Sequence, residues 1–102
     1  MKLHTVNKSM REDALPQCLS VAAPGSVVLL LEDGVYGALS GSSFSPMIAE
    51  ALDRLRVCAI ADDVAARGLN SRLVEGVELV DYTGFVQLTT ECDAVVSWTN
   101  QV

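Results

Sequence analysis

The sequence predicts a small α/β protein in which a mostly parallel five-stranded sheet carries helices on both faces. Short apolar segments rich in β-branched residues alternate with segments of helical spacing along the chain. The connections are long enough to bring the chain back in the same direction, which is typical of parallel sheets. The length of 102 residues, half of them hydrophobic, is expected to form one domain over residues 1–102.

Five segments have the composition of strands. They cover residues 2–6, 26–32, 56–61, 77–80 and 94–98. The second, SVVLLLE, has an unbroken apolar run that predicts burial on both faces of the sheet. We expect it to lie in the interior of the sheet rather than at an edge.

The segments between the strands contain helix start and stop signals. Ser9 and Glu12 form a capping box for a first helix, in which Pro16 predicts a kink or a restart near Asp13. Asp81 is a predicted N-cap for the last helix. Further helices are predicted over residues 46–54, 62–69 and 81–91, and a short helical turn and loop over residues 33–45.

The charge balance argues against direct contact with nucleic acid or membranes. The chain has 13 acidic and 7 basic side chains, a formal charge of −6, and its basic residues are scattered. Nucleic-acid binding depends on neutralising phosphates with clustered cations, and anionic membrane surfaces likewise attract basic clusters. No secretory signal and no run of about 18 apolar residues is found. We therefore expect a cytoplasmic protein.

No cofactor or metal is predicted. The turn after the first strand lacks both glycine-rich phosphate-binding patterns, and three cysteines without C-x-x-C spacing plus one histidine do not suggest a metal site. In a reducing compartment the cysteines are expected to be free thiols. Ligands of parallel sheets usually bind at the carboxyl ends of the strands, here the turns NKS, EDG and ADD.

Four segments of the chain resemble the TusB/DsrH family of sulfur-relay subunits. They are LHTVNKS, LLLEDGVYGAL, ARGL and DYTGFVQLTTECDAVVSW, and they occur in the family's order and spacing from Leu3 to Trp98. The resemblance implies a small parallel α/β fold and assembly with two sister subunits (DsrE and DsrF, or TusD and TusC) as a dimer of heterotrimers. It also implies a downstream sulfur-acceptor protein, in either thiolation of the tRNA wobble uridine or sulfur oxidation.

Cys18 is the candidate sulfur-carrying residue. The motif ALPQCL matches a cysteine position that the resemblance associates with the DsrH branch, although the proline departs from the family pattern. Leu15, Cys18, Leu19 and Ala22 also fall on one helical face, which equally predicts a packed, unreactive thiol. Both alternatives stay open: a persulfide carrier, or a structural subunit whose sister chain carries the sulfur.

Other chemically notable residues have simpler predicted roles. Cys58 is expected in the core, and the acidic neighbours of Cys92 oppose thiolate formation. His4 in the first strand is expected to be structural, and Gly84 to mark a close packing contact, either within the chain or with another chain. The buried stripe of the last helix is predicted to be Tyr82, Phe85, Val86 and Thr89.

Overall fold

Five parallel strands form the centre of the protein in a computed structural model that describes residues 1–7 and 14–98. The strands are β1 (Lys2–Val6), β2 (Val27–Leu30), β3 (Arg56–Ile60), β4 (Glu78–Val80) and β5 (Ala94–Trp98). Their order across the sheet is β4-β3-β2-β1-β5, and all four pairings are parallel. The predicted α/β class and five-stranded sheet are confirmed.

The helices connect successive strands. They are α1 (Ala14–Val21), a 3₁₀ helix (Glu32–Ala38), α2 (Ser45–Ala51), α3 (Ala61–Ala66) and α4 (Tyr82–Glu91). The predicted capping box at Ser9 and Glu12 lies outside the described residues, as does the predicted restart at Asp13. Within α1, Pro16 is the third residue, in the first turn, where backbone N–H groups have no partner inside the helix.

The order of the strands explains why helices cover both faces. From β1 to β4 the chain steps in one direction across the sheet, so right-handed crossovers place α1, α2 and α3 on one face. After β4 the chain returns past β1 to the opposite edge, and this reversal places α4 on the other face. We call the two sides of the sheet the α1 face and the α4 face.

Each face of the sheet has its own apolar core. On the α1 face, strand residues such as Val28 and Val57 pack with Leu15, Cys18 and Ile48 of the helices. On the α4 face, Leu3, Val27, Leu29, Cys58 and Ile60 pack with Leu88. All four residues of β2 are buried, as the apolar run in this segment predicted.

Several predicted boundaries differ from the structure, for local reasons. β2 ends at Leu30 rather than at residue 32, because Glu32 has a positive φ of 52° that is incompatible with a strand and begins the 3₁₀ helix. The helix predicted over residues 62–69 ends at Ala66, before Gly68 adopts a φ of 68°. At α4 the predicted cap is confirmed, since Asp81 Oδ1 accepts a 2.7 Å hydrogen bond from the Gly84 amide.

The predicted buried stripe of α4 is wrong in part. Tyr82 is 48% exposed and Val86 is 61% exposed, whereas Leu88 is the buried residue of the helix and Phe85 is half-buried. The helix lies over the sheet on the side of Leu88, so Tyr82 and Val86 face outward. The close contact predicted at Gly84 exists within the chain, because a Cβ there would lie 3.3 Å from Asp81 Oδ1.

Candidate functional site

Cys18, the candidate sulfur carrier, lies on the inner side of α1. Its exposed fraction is 0%, and it packs in the core of the α1 face between Leu15 and Leu19 of the same helix. Burial raises the pKa of the Cys18 thiol to about 12. At neutral pH only about one such thiol in 10⁵ is ionised. In this conformation the thiol is neither accessible nor nucleophilic, so sulfur loading would require local opening of α1.

The other two cysteines lie on the opposite side of the sheet. Cys58 is buried in β3 within the core of the α4 face, as predicted, and burial raises its pKa to about 11. Cys92 follows α4 and packs, half-buried, against the same core. All three cysteines are free. Because the sheet separates Cys18 from Cys58 and Cys92, sulfur cannot pass directly between them, and any exchange at Cys18 would have to reach it from the α1 side.

The carboxyl ends of β2 and β3 bring several acidic side chains together. The backbone N–H of Glu32 donates a 2.7 Å hydrogen bond to Asp63 Oδ2, and the Arg67 guanidinium forms a 2.9 Å ion pair with Asp33. The Arg67 side chain also lies over the Tyr36 ring, 5.9 Å from its centroid. These contacts hold the 3₁₀ helix against α3. Asp33 and Asp63 at this edge therefore have structural partners.

Asn7 is the described part of the predicted NKS turn. Its Oδ1 atom is buried and has no hydrogen-bond partner among the described residues. Nearby, a Cβ on Gly34 would lie 2.1 Å from the Val6 carbonyl oxygen, so the chain after β2 passes directly over the end of β1. Across residues 1–7 and 14–98, no three His, Cys, Asp or Glu side chains come together as a metal-binding group.

His4 forms a contact that the sequence did not indicate. The indole Nε1–H of Trp98 donates a 2.9 Å hydrogen bond to His4 Nδ1, which links β1 to β5. His4 is 5% exposed, and its pKa is lowered by burial and then by the positive charge of Lys2. The strand segments were both predicted, but nothing in their spacing showed that the first and last strands are neighbours. The register that places His4 opposite Val96, two residues before Trp98, became apparent only in the sheet.

An exposed apolar strip remains on α4. Tyr82 and Val86 are four residues apart and so lie on the same side of the helix, facing away from the sheet. Val95 of β5 is also 49% exposed on the α4 face.

None of the helices in the described part of the chain is long and apolar enough to cross a membrane.

Comparisons with solved structures show the same fold. The E. coli ychN protein matches with a TM-score of 0.83 and 20% identity, covering 94% of this chain and 97% of that one. MTH1491 from Methanobacterium thermoautotrophicum matches with a TM-score of 0.78 at 20% identity, over 94% and 97% of the two chains. Tm0979 from Thermotoga maritima matches at 0.64 with 25% identity, over 89% of this chain and 93% of that chain.

Sequence comparison identifies the family. Protein TusB of Serratia proteamaculans is 33% identical over 96 residues, covering 94% of this chain and 99% of that protein. Protein TusB of E. coli K12 is 32% identical over 96 residues, with the same coverage of both chains. The sequence profile described as DsrH like protein matches residues 8–95. The matches to the TusB proteins and to the DsrH-like profile extend over nearly the whole chain, in agreement with the motifs from Leu3 to Trp98. The protein therefore belongs to the DsrH-like (TusB/DsrH) family.

Proposed function

We propose that this protein is a structural subunit of a cytoplasmic sulfur-relay complex, in which it associates with two sister chains of related fold as a dimer of heterotrimers. Membership of the TusB/DsrH family supports this proposal, because the resemblance of the chain to that family implies both a sulfur-relay function and this assembly. The sister chains would be TusC- and TusD-like or DsrF- and DsrE-like. Free thiols are consistent with a reducing compartment.

The surface of α4 supports the association. Large apolar side chains such as Tyr82 and Val86 are exposed next to each other on a helix that covers only part of its face of the sheet. Tyrosine and other apolar residues are typical of the buried centre of protein interfaces. Burying this strip against a sister chain would remove apolar surface from water, which favours assembly.

The complete burial of Cys18 is the observation that favours a structural role over a carrier role. A persulfide carrier must expose its thiol and ionise it near neutral pH, whereas Cys18 is 0% exposed and its pKa is raised to about 12. The side chain instead fills the core between α1 and the sheet. In this proposal a sister subunit carries the sulfur and this chain shapes the surface at which donor and acceptor dock.

The carrier role of Cys18 remains the second candidate, and the ALPQCL motif favours it. The Cys18 thiolate would attack the outer sulfur of a donor persulfide, forming a new S–S bond. The donor's S–S bond would break and its inner sulfur would leave as a thiolate. Cys18 would then hold the persulfide until an acceptor thiolate removed the outer sulfur in the same way. No net oxidation occurs in either transfer.

The pathway that the complex serves is proposed in two forms. The ALPQCL motif resembles the DsrH branch and suggests sulfur oxidation, while the curated relatives at 32 to 33% identity are TusB proteins and suggest tRNA wobble-uridine thiolation. In both forms a downstream acceptor protein takes the sulfur. If the complex serves tRNA thiolation, this acidic chain does not itself bind the tRNA.

Peptide mass spectrometry of the assembled complex distinguishes the two roles of Cys18. The complex is treated with a persulfide donor at neutral pH, and each cysteine peptide is searched for the mass of one added sulfur, about 32 Da. We expect the addition on a sister subunit and not on the Cys18 peptide. Cys58, equally buried, serves as the internal control for non-specific loading. Selective, donor-dependent addition at Cys18 would instead establish the carrier role.

A further inference from the structure

The two edges of the sheet differ in how they are protected from pairing with another chain. β4 forms one edge and has only three residues. Its Glu78 forms a 2.7 Å ion pair with Arg56 of the neighbouring strand. Short length and charged side chains are common means by which natural edge strands avoid pairing with further strands. The β4 edge is therefore protected.

β5 forms the other edge and has neither form of protection. Its five residues, AVVSW, include no charge, proline or glycine, and they pair with β1 in an unbroken register. Within the described part of the chain, β1 is its only strand neighbour. Ala94, Val95 and Ser97 are exposed. An uncharged, regular edge of this kind is a template on which a further strand can pair.

The sequence AVVSW is complementary to itself in an antiparallel pair. If Val96 lay on the two-fold axis of such a pair, all five residues would have a partner in the other copy. Ala94 would lie opposite Trp98 on the α1 face, so the smallest side chain of the strand would meet the largest. Val95 would lie opposite Ser97 on the α4 face. No like charges would face each other, and the two-fold axis closes the assembly at two copies.

The distribution of charge favours the same pairing. Beside β5, Asp93 forms a 2.7 Å ion pair with the amino terminus, and Glu91 borders a small pocket together with Arg56 of β3. Asp62 and Glu78 belong to α3 and β4, on the far side of β1 and β2 from β5. Although each chain has a charge of −6, two copies that meet through β5 keep these carboxylates far apart.

We propose that β5 pairs antiparallel with β5 of a second copy of this chain, so that the two sheets become one continuous sheet across a two-fold axis at Val96. The backbone N–H and C=O groups on the outer side of each β5 would pair across the axis. Tyr82 and Val86 of α4 would stay available to a sister chain. The pairing does not depend on the sulfur-relay function, because it concerns the isolated chain.

Sedimentation equilibrium of the full-length chain over a wide range of concentrations measures the pairing. We expect a monomer–dimer equilibrium. Val95→Lys is expected to weaken the dimer about tenfold, because it replaces an apolar cross-strand contact on each side of the axis and brings two positive charges together. Leu79→Lys is the matched control and should leave the dimer unchanged, since Leu79 is 47% exposed on the β4 edge and Val95 is 49% exposed on the β5 edge.

A second substitution tests the register. Position 95 faces position 97 of the other copy, so Ser97→Glu added to Val95→Lys would place opposite charges across the axis. This double variant is expected to recover most of the lost affinity. A folded double variant that is as weak as Val95→Lys alone would overturn the pairing. Circular dichroism checks the fold of each variant, and Ser97→Lys replaces Val95→Lys should the latter not fold.

The proposal fails if the chain is monomeric at every concentration, or if Val95→Lys and Leu79→Lys weaken the dimer equally. A monomeric chain that still assembles with its sister chains would overturn this pairing and leave the proposed complex intact. If Val95→Lys then prevented that assembly, the β5 edge would belong to a sister strand instead of a second copy. A dimeric chain that does not associate with the sister chains would uphold the pairing and contradict the proposed complex.

Discussion

At the scale of single residues, Cys18 shows how one pattern can predict two different roles. A thiol on the apolar side of a helix is expected both of a packing residue and of a residue that lies beneath a partner, and in the isolated chain only the packing residue is buried. Cys18 is completely buried and its pKa is raised. The contribution of its packing to stability can therefore be measured in the isolated chain, independently of sulfur transfer. Its effect on the free energy of unfolding is therefore the first quantity to test.

Cys18→Ser is expected to destabilise the protein by about 1 to 3 kcal/mol, because the hydroxyl would enter an apolar contact without a hydrogen-bond partner. Chemical denaturation monitored by circular dichroism would measure the change. Cys92→Ser is the matched control, since this half-buried thiol should change stability by less than about 0.5 kcal/mol. Equal stability of the two variants would show that Cys18 is not a packing residue.

His4 predicts a pH dependence of stability. It is the only histidine of the sequence, and burial followed by the charge of Lys2 lowers its pKa from 6.5 in the folded protein. As the pH falls through 6.5, the unfolded chain binds a proton that the folded chain resists, so the stability contributed by neutral His4 is present above this pH and lost below it. Denaturation at pH 7.5 and 5.5 should show a larger stability loss for the wild type than for His4→Gln. Identical losses of stability in the wild type and in His4→Gln would contradict a lowered pKa of His4 in the folded protein.

At the scale of elements, α4 combines a well-defined start with an exposed apolar side. Asp81 caps the helix through the Gly84 amide, and Leu88 anchors it to the sheet. Tyr82 and Val86 contribute little to this packing. In the proposed complex, stability and association would therefore depend on different residues of the same helix.

Asp81→Ala is expected to cost about 1 kcal/mol, because the Gly84 amide loses the acceptor that closes the first turn of α4. Thermal denaturation of the isolated chain would detect the loss. Asp81→Asn keeps a side-chain oxygen at the cap and should restore most of the stability. If asparagine is as damaging as alanine, the cap is not the source of the effect.

Val86→Asp is expected to leave the isolated chain folded and to weaken its association with the sister chains. Val86 is 61% exposed, so the change costs little within the chain but would bury a charge in the proposed interface. Co-purification and light scattering of the co-expressed proteins would measure assembly. Ala49→Asp, at an exposed position of α2 on the opposite face, is the control. Normal assembly of the Val86 variant would exclude this side of α4 from the interface.

The helices and strands themselves were largely predictable from local sequence. Which of them lie next to each other in the folded chain was not predictable. The apolar run of β2 and the Asp81 cap are signals within a few residues, and both are confirmed. The outward turn of Val86 depends on which side of α4 meets the sheet, and that is decided by the anchoring of Leu88. The His4–Trp98 contact depends on the adjacency of β1 and β5, which local periodicity does not encode.

At the scale of the whole molecule, net charge limits the possible partners. The charge of −6 and the absence of a basic cluster in the sequence predict that the isolated chain does not bind tRNA, even if the complex acts in tRNA thiolation. A gel-shift titration should show no salt-sensitive binding at micromolar protein. Binding that weakens steeply with added salt would contradict the prediction and would require a phosphate-binding surface.

The pairing of β1 with β5 has a consequence for synthesis on the ribosome. β1 lies between β2 and β5, and Thr5 and Ser97, which are hydrogen-bonded across this pair, are 92 residues apart in sequence. The first strand to emerge therefore keeps one edge unpaired until the last strand has been made and released from the exit tunnel. Contacts of such long sequence separation form late and slowly. A nascent chain stalled before residue 94 would expose that edge, and would be the form of this protein most in need of a chaperone.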